Sequence, residues 1–258
     1  MSSDTWDPAQ YERFARERSA PFFDLLDLTE PRPGGRVVDL GCGTGELTRA
    51  LHERSRAHST LGLDSSPAML ERSADHAGEG VSFELGDIAG WAPSAPVDLV
   101  FSNAALHWVD DHEALLARLT RALSSGGQLA VQVPANHDHP SHLVAQRVAA
   151  EPPFAAALGG YVRRSPVLAP ERYARLLHRL GYDVQHVRLQ VYLHVLPDAA
   201  AVVDWVKGTL LTDYRRRLPE PVYEEFLARY RELLATALPD ERPFAFPFKR
   251  ILLWGRLG

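Results

Sequence analysis

The sequence predicts a doubly wound α/β domain around a mainly parallel sheet, and three observations carry that prediction. Short apolar runs alternate with helix-period segments through residues 37–133. The first run opens into a turn with glycines at alternate positions, Gly41, Gly43 and Gly45. The first two runs also carry an acid at their C-terminal ends, Asp39 and Asp64.

In chain order, residues 37–40 and 60–63 read as the first two strands, being short, apolar and rich in branched side chains. Residues 81–84 form a third that leads into Gly86-Asp87, residues 97–102 a fourth, and residues 128–133 a fifth after a Gly126-Gly127 turn. Helices fit between them at 46–52, 66–75 and 112–123. The second has Ser65 and Ser66 as N-cap candidates and Pro67 in its first turn, where a missing N–H costs nothing. Beyond Val133 the pattern changes. Residues 134–170 are rich in Pro, His and Ala and read as a helical insertion, and residues 171–180 form an amphipathic helix stopped by Gly181. Residues 184–196 alternate like a sheet strand, residues 197–238 read as helices, and residues 246–254 as a final apolar strand. The 258 residues thus make one domain: an arm at 1–30, a core at 31–134, and inserts at 135–168 and 197–243 that cover one end of the sheet.

Composition narrows the function. Apolar residues make up 45% and the formal net charge is −5, with both signs interspersed, which argues against a nucleic-acid or anionic-membrane surface. Of 28 basic residues only Lys207 and Lys249 are lysines. Cys42 is the sole cysteine, so neither an intramolecular disulfide nor a cysteine-cluster metal site can form. His137 and His139 flank Asp138, too few ligands for a metal, and they read as solvated loop residues, as do Arg163-Arg164 and Arg215-Arg216-Arg217. The first pair, inside the cover, is also placed to steer an anion. Residues 1–20 are polar and charged, and no run approaches the ~18 apolar residues of a membrane span, so a cytoplasmic location is expected.

The glycine turn separates ligand classes. Dinucleotide loops carry Gly-x-Gly-x-x-Gly, whereas this one reads Asp39-Leu40-Gly41-Cys42-Gly43-Thr44-Gly45. An acid at such a turn repels a pyrophosphate and attracts an α-ammonium group, which S-adenosylmethionine carries. Asp64, ending the second strand, is placed to accept from ribose hydroxyls. The structural alternative is a tight turn with two capping acids.

These residues resemble the class I S-adenosylmethionine-dependent methyltransferases. Three further stretches match: Leu61-Gly62-Leu63-Asp64-Ser65-Ser66-Pro67-Ala68-Met69-Leu70, Gly86-Asp87-Ile88 and Phe101-Ser102-Asn103-Ala104-Ala105-Leu106-His107-Trp108. The resemblance implies a Rossmann-like, seven-stranded, mainly parallel sheet with an antiparallel last strand. It also implies that Met69 flanks an adenine, that Asp87, beside Ile88 in the cofactor-binding loop, accepts from its amino group, and that Asn103 and Ala104 pass beneath the methionine portion; Ser65 belongs to the ribose-binding strand end. S-adenosylhomocysteine is then the product.

A narrower resemblance covers almost the whole chain. Trp6-Asp7-Pro8 with Gln10-Tyr11, Phe14 and Glu17-Arg18 is similar to the N-terminal arm of the trans-aconitate 2-methyltransferases. So are Gln132-Val133-Pro134 with Asn136, Pro140-Ser141-His142, Trp205-Val206-Lys207-Gly208-Thr209 and Pro247-Phe248-Lys249-Arg250; Leu210-Leu211 and the triple arginine depart from the pattern. The implied reaction esterifies one carboxylate of a small polyacid, a small anionic metabolite. A carboxylate with an ordinary pKa of about 4 is already ionised near neutral pH, so no general base is required. What remains is to hold one oxygen in line with the donor methyl, at about 3 Å, while other groups clamp the remaining carboxylates.

The substrate-side candidates are Gln10, His107, Trp108, Asn136, His142, Lys207 and Arg250. Trp108 is also a plain cleft wall, His107 and His142 also fit helix starts, and Arg250 also fits an internal ion pair. Tyr11 and Arg18 share a helix face that resemblance closes over the cofactor; the alternative is simple docking by Tyr11, Phe14 and Phe22. Two other functions stay open at this point. One is O- or C-methylation of another metabolite with His107 as base; the other is a catalytically silent cofactor-binding regulator.

Overall fold

The computed structural model describes residues 15–258, and side chains from residue 19 onward. Gln10 and Tyr11 therefore lie outside the described residues, as does the side chain of Arg18. The described chain runs α1 (Ala15–Leu26), β1 (Arg36–Leu40), α2 (Glu46–Ser55), β2 (Ser59–Asp64), α3 (Pro67–Ser73), β3 (Val81–Leu85) and β4 (Val97–Asn103). It continues with a 3-10 turn (Leu106–Trp108), α4 (His112–Arg121), β5 (Leu123–Pro134), α5 (Pro140–Ala149), α6 (Pro152–Ala157) and α7 (Pro170–Arg179). The last part is β6 (Tyr182–Leu196), α8 (Ala201–Lys207), α9 (Leu210–Arg217), α10 (Glu220–Ala237) and β7 (Phe244–Leu257).

The seven strands lie in the order β3-β2-β1-β4-β5-β7-β6. Pairs among β1 to β5 are parallel, and β7 runs antiparallel to both β5 and β6. The reversal of winding falls between β1 and β4, the point at which an open α/β sheet leaves a crevice at its strand ends. The expected turn before the fifth strand is absorbed into β5: Leu123 already pairs with Val97, and the register shifts between Val97 and Leu99. A local irregularity in a continuous strand and a turn before a shorter one look alike in a Gly-Gly dipeptide.

Both sheet faces are covered. Phe22 and Leu25 of α1 pack with Leu51, Phe101 and Trp254 on one face. Leu115, Leu116 and Leu119 of α4 and Tyr173, Leu176 and Leu177 of α7 pack on the other. Asp24 ties α1 to the edge strand by accepting from Tyr192 Oη at 2.6 Å and Gln190 Nε2 at 2.8 Å. Gly181 ends α7 with φ 89°, as its position in the sequence predicts.

The two inserts form one layer with a core of its own. β6 and β7 stay paired as far as Leu196↔Phe244, well beyond the end of β5 at Pro134↔Arg250, and this two-stranded extension carries α8, α9 and α10. Val144 and Val148 of α5 pack with Trp205, Tyr214, Phe226 and Tyr230 from the second insert. Tyr214 stacks on Phe226 at 4.9 Å, and Tyr230 Oη donates to the Ser141 carbonyl at 3.1 Å. Arg229 of α10 grips both oxygens of Glu151 at 3.0–3.1 Å. Each buried aromatic ring contributes about 1.5–3 kcal/mol, enough in sum to hold the cover as a packed unit over the strand ends. Among the described residues no helix is long and apolar enough to cross a membrane.

Candidate active site

The glycine turn owes its shape to two different demands. The N–H groups of Gly41 and Cys42 both donate to the Leu63 carbonyl, at 2.7 and 3.1 Å, which folds the chain back across the ends of β1 and β2. A Cβ on Gly41 would meet the Ala105 Cβ at 2.2 Å, so this glycine is needed for close packing. Gly43, with φ 56°, would project a Cβ into open space; it lines a cavity. Asp64 holds the turn in place. Its Oδ2 accepts from Gly43 N–H and its Oδ1 from Ser66 N–H, both at 2.9 Å.

That cavity brings together Gly41, Gly43, Asp64, Ser65, Met69, Asp87, Ile88, Asn103 and Ala104. Of the other residues predicted for the cofactor, Gly45 packs against the Phe83 ring and Cys42 is buried behind the turn, neither of them on the cavity wall. Asp39 corrects the electrostatic argument made from the sequence. It is only 3% exposed, off the cavity, and takes a 2.6 Å hydrogen bond from Thr48 Oγ1 of α2. Burial pushes its carboxyl up to about 7, with the Asp64 charge adding to the rise. Of the two strand-end acids it is thus Asp64 that faces the cavity, and Asp39 fastens the turn to α2. An acid at this spacing reads the same either way, because sequence does not reveal which side of the strand end it faces.

Asp39 makes stability depend on pH in a stated sense. Between its ordinary value near 3.8 and about 7 the folded chain keeps a proton that the unfolded chain releases, so stability falls as pH rises through that window. Asp39→Asn, which keeps an acceptor for Thr48, is expected to raise Tm by about 5 °C at pH 8 and by much less at pH 4. Equal gains at both pH values, read by calorimetry, would show that no buried carboxyl is being relieved.

A second cavity adjoins the first beneath the cover. Its wall includes Asn136, His142, Trp205, Thr209, Phe248 and Arg250, with His137 and Gln146. Five residues line both cavities: Asn103, Ala104, His107, Trp108 and Arg163. Ala104 adopts φ 56°, uncommon for a residue with a Cβ, while its N–H donates to the Gln132 carbonyl at 2.9 Å; this bends the chain out of β4 along the shared wall.

This second cavity is lined by two arginines, Arg163 and Arg250, and by two histidines, His107 and His142, that burial holds neutral. Arg250 is 5% exposed, donates to Gln132 Oε1 at 3.4 Å, and lies 4.9 Å from the Phe248 ring. Burial holds His107 well below its ordinary pKa, with Arg163 and Arg250 adding to the effect, and it brings His142 down to about 3 with help from Arg163. Asn136 is buried and accepts from the Lys249 N–H at 3.1 Å. Asn136 Nδ2, His107 Nδ1 and Arg163 Nη1 are buried without a partner among the described residues, and such a concentration of unmet polar groups along one cavity is the mark of a ligand site.

Several sequence expectations change here. Lys207 ends α8 and is not on the wall; its carbonyl accepts from Thr212 Oγ1 at 3.2 Å. Arg163 is not a solvated surface residue: its guanidinium lies 4.3 Å over the Trp108 ring, whereas Arg164 is exposed. All three arginines of the triple run are exposed, as expected, but Arg216 and Arg217 also line the first cavity, Arg217 pairs with Asp213 at 3.3 Å and lies 3.7 Å over Tyr161, and Arg215 pairs with Glu220 at the surface. His139 caps α5 by accepting from Ser141 N–H at 3.1 Å and packs on Phe246, while His137 is exposed, as expected, at the edge of the residues lining the second cavity. Arg163, Gln146 and Tyr161 were not predicted as site residues. A loop within an insert has no periodicity to say which side chain turns inward.

Known proteins resemble this chain in sequence over nearly its whole length and in fold. Residues 37–127 match the methyltransferase domain family. Over 254 residues the chain is 46% identical to the trans-aconitate 2-methyltransferase of Deinococcus radiodurans, covering 96% of each chain. It is 42% identical to the trans-aconitate 2-methyltransferase of Methylobacterium nodulans, covering 97% of this chain and 98% of the other. Among solved structures the YcgJ protein of Bacillus subtilis superimposes with a TM-score of 0.61 at 17% identity, over 93% of this chain and 98% of that one. An S-adenosylmethionine-dependent methyltransferase from Mesorhizobium loti superimposes with a TM-score of 0.51 at 23% identity, over 92% and 97%. Fold and site together define an S-adenosylmethionine-dependent methyltransferase with a Rossmann-like sheet. Within that class the chain belongs to the trans-aconitate 2-methyltransferase family.

Proposed function

We propose that this protein esterifies one carboxylate of trans-aconitate, or of a small polycarboxylic acid closely similar to it, giving a monomethyl ester. The observation that carries the reading is a buried cavity with two arginines and two neutral histidines that shares a wall with the cavity under Gly43 and Asp64. S-adenosylmethionine supplies an electrophilic methyl group when bound. Asp64 fits its ribose hydroxyls, Asp87 the adenine amino group, and Met69 and Ile88 the adenine faces, all being on the cofactor-side wall.

The rest of the chemistry is positioning. The acceptor oxygen is anionic before it enters, so the chain needs to orient it and keep water away. Trp108, Trp205 and Phe248 supply the apolar walls, and the arginines supply the charge that draws a polyacid into them. A protonated histidine here would tie up the nucleophile, and burial prevents that.

A base-assisted methylation of a hydroxyl or carbon acceptor has one specific observation in its favour, the neutral His107 with an unpartnered Nδ1 on the shared wall. A group held so far below its ordinary pKa is a weak base, which favours the carboxylate acceptor. Two measurements separate the readings. Mass spectrometry of small acids incubated with protein and methyl donor should show the monomethyl ester of trans-aconitate, and absence of any ester sinks the proposal. His107→Asn is expected to cost less than tenfold in kcat with trans-aconitate; a loss beyond a thousandfold with S-adenosylhomocysteine still bound would make His107 the base.

A further inference from the structure

Arg163 stands where the two cavities meet. Of the five residues lining both it alone carries a cationic group, since His107 is neutral. Its main chain is tethered from both inserts: its N–H donates to Tyr214 Oη of α9 and its carbonyl accepts from Gln146 Nε2 of α5, each at 3.3 Å. Its guanidinium lies 4.3 Å over the Trp108 ring, a stacking that fixes the plane of the donor fork. Its Nη1 is buried and meets no acceptor among the described residues. A charged donor buried in that state costs free energy that a bound anion would return. Position, tether, stacking and unmet donor together describe a preorganised carboxylate clamp.

We propose that Arg163 is a specificity-determining residue of the acceptor site: it clamps an acceptor carboxylate that is not methylated, selecting polyacids and setting which oxygen reacts. The assignment rests on the carboxylate-methylation reading. Charge counting supports it. An acid with three carboxylates meets two cations on the wall of the acceptor cavity, Arg163 and the buried Arg250, and one carboxylate is left unclamped. The unclamped one is the better nucleophile, because a bidentate arginine ties up the oxygen lone pairs that must attack. Arg163, on the shared wall, then fixes how far the free carboxylate stands from the cofactor side.

The test uses the full-length protein with Arg163→Met and Arg163→Lys. Its readouts are kcat/KM for trans-aconitate and for a monocarboxylic alkenoic acid, calorimetric binding of trans-aconitate to the S-adenosylhomocysteine complex, and affinity for S-adenosylhomocysteine alone. For Arg163→Met the trans-aconitate kcat/KM should fall at least 100-fold, mainly through KM. Its ratio to the monoacid value should fall at least tenfold, the ester isomers should become mixed, and Arg163→Lys should recover part of each loss. S-adenosylhomocysteine affinity should change by less than threefold. Equal losses on both acids, or a loss of S-adenosylhomocysteine binding larger than the loss on trans-aconitate, would overturn the assignment. A wild-type protein that binds trans-aconitate through Arg163 without esterifying it would sink the proposed function and leave the clamp standing. Unchanged calorimetric binding in Arg163→Met would do the reverse.

Discussion

Asp64→Ala is expected to weaken S-adenosylhomocysteine binding by at least 100-fold, the largest single effect on the cofactor side. The carboxylate has two jobs. One is structural: Oδ1 and Oδ2 accept from Ser66 and Gly43 N–H at 2.9 Å, so the turn and the start of α3 are held by one side chain. The other is to face the cavity as its acid at the end of β2. Hydrogen bonds to a charged acceptor contribute about 1.5–3 kcal/mol each. Losing two of them, about 3 kcal/mol or more, with the ribose acceptor gone as well, exceeds the ~2.8 kcal/mol that corresponds to a 100-fold change in affinity. Isothermal titration measures the affinity and thermal unfolding separates the two jobs. Asp64→Asn keeps one acceptor oxygen and should fall between wild type and Asp64→Ala in both. Undiminished affinity in Asp64→Ala would remove Asp64 from the cofactor site.

The contrast between Asp64 and Asp39 shows where sequence stops being informative. Strands, the glycine spacing and the two acids were legible because each is local: a period, a turn, a residue at a strand end. Their side-chain environments were not. Both acids sit near the C-terminal ends of neighbouring parallel strands, but Asp39 lies inside β1 in register with Gly62, where Thr48 of α2 donates to it in the interior, while Asp64 ends β2, where two backbone N–H groups hold it at the cavity. The inserts were legible only as helical segments with approximate limits. That α5 of the first and α10 of the second share a core, through Tyr230 and Ser141, depends on contacts 89 residues apart in the chain. Arg163 follows from the same cause. Nothing in Val162-Arg163-Arg164-Ser165 distinguishes the arginine stacked on Trp108 from its exposed neighbour. Lys207 failed in the opposite way: a stretch that resembles family members places Trp205, Val206 and Thr209 on the cavity, but on a helix the intervening lysine points elsewhere.

Arg250→Met should match Arg163→Met on the acceptor side, lowering kcat/KM for trans-aconitate by 100-fold or more while S-adenosylhomocysteine affinity stays within threefold. Arg250 projects from β7 at the last position where that strand still pairs with β5, opposite Pro134, so the sheet itself fixes its Cα at the floor of the cavity. Gln132 Oε1 at 3.4 Å and the Phe248 ring at 4.9 Å then set the direction of the guanidinium. Truncating one partner of a buried, hydrogen-bonded charge pair costs about 2–5 kcal/mol, which is the origin of the expected size. Because the bound carboxylate is clamped in ground and transition states alike, the loss should fall on KM more than on kcat. Methionine occupies nearly the volume of the arginine stem, so Tm should move by no more than a few degrees. Arg250→Lys restores the charge but not the fork and should recover only part of the loss. A fall of equal size for a monocarboxylic acid, accompanied by a large drop in Tm, would mean that Arg250 holds the strand ends together and takes no part in choosing the acceptor.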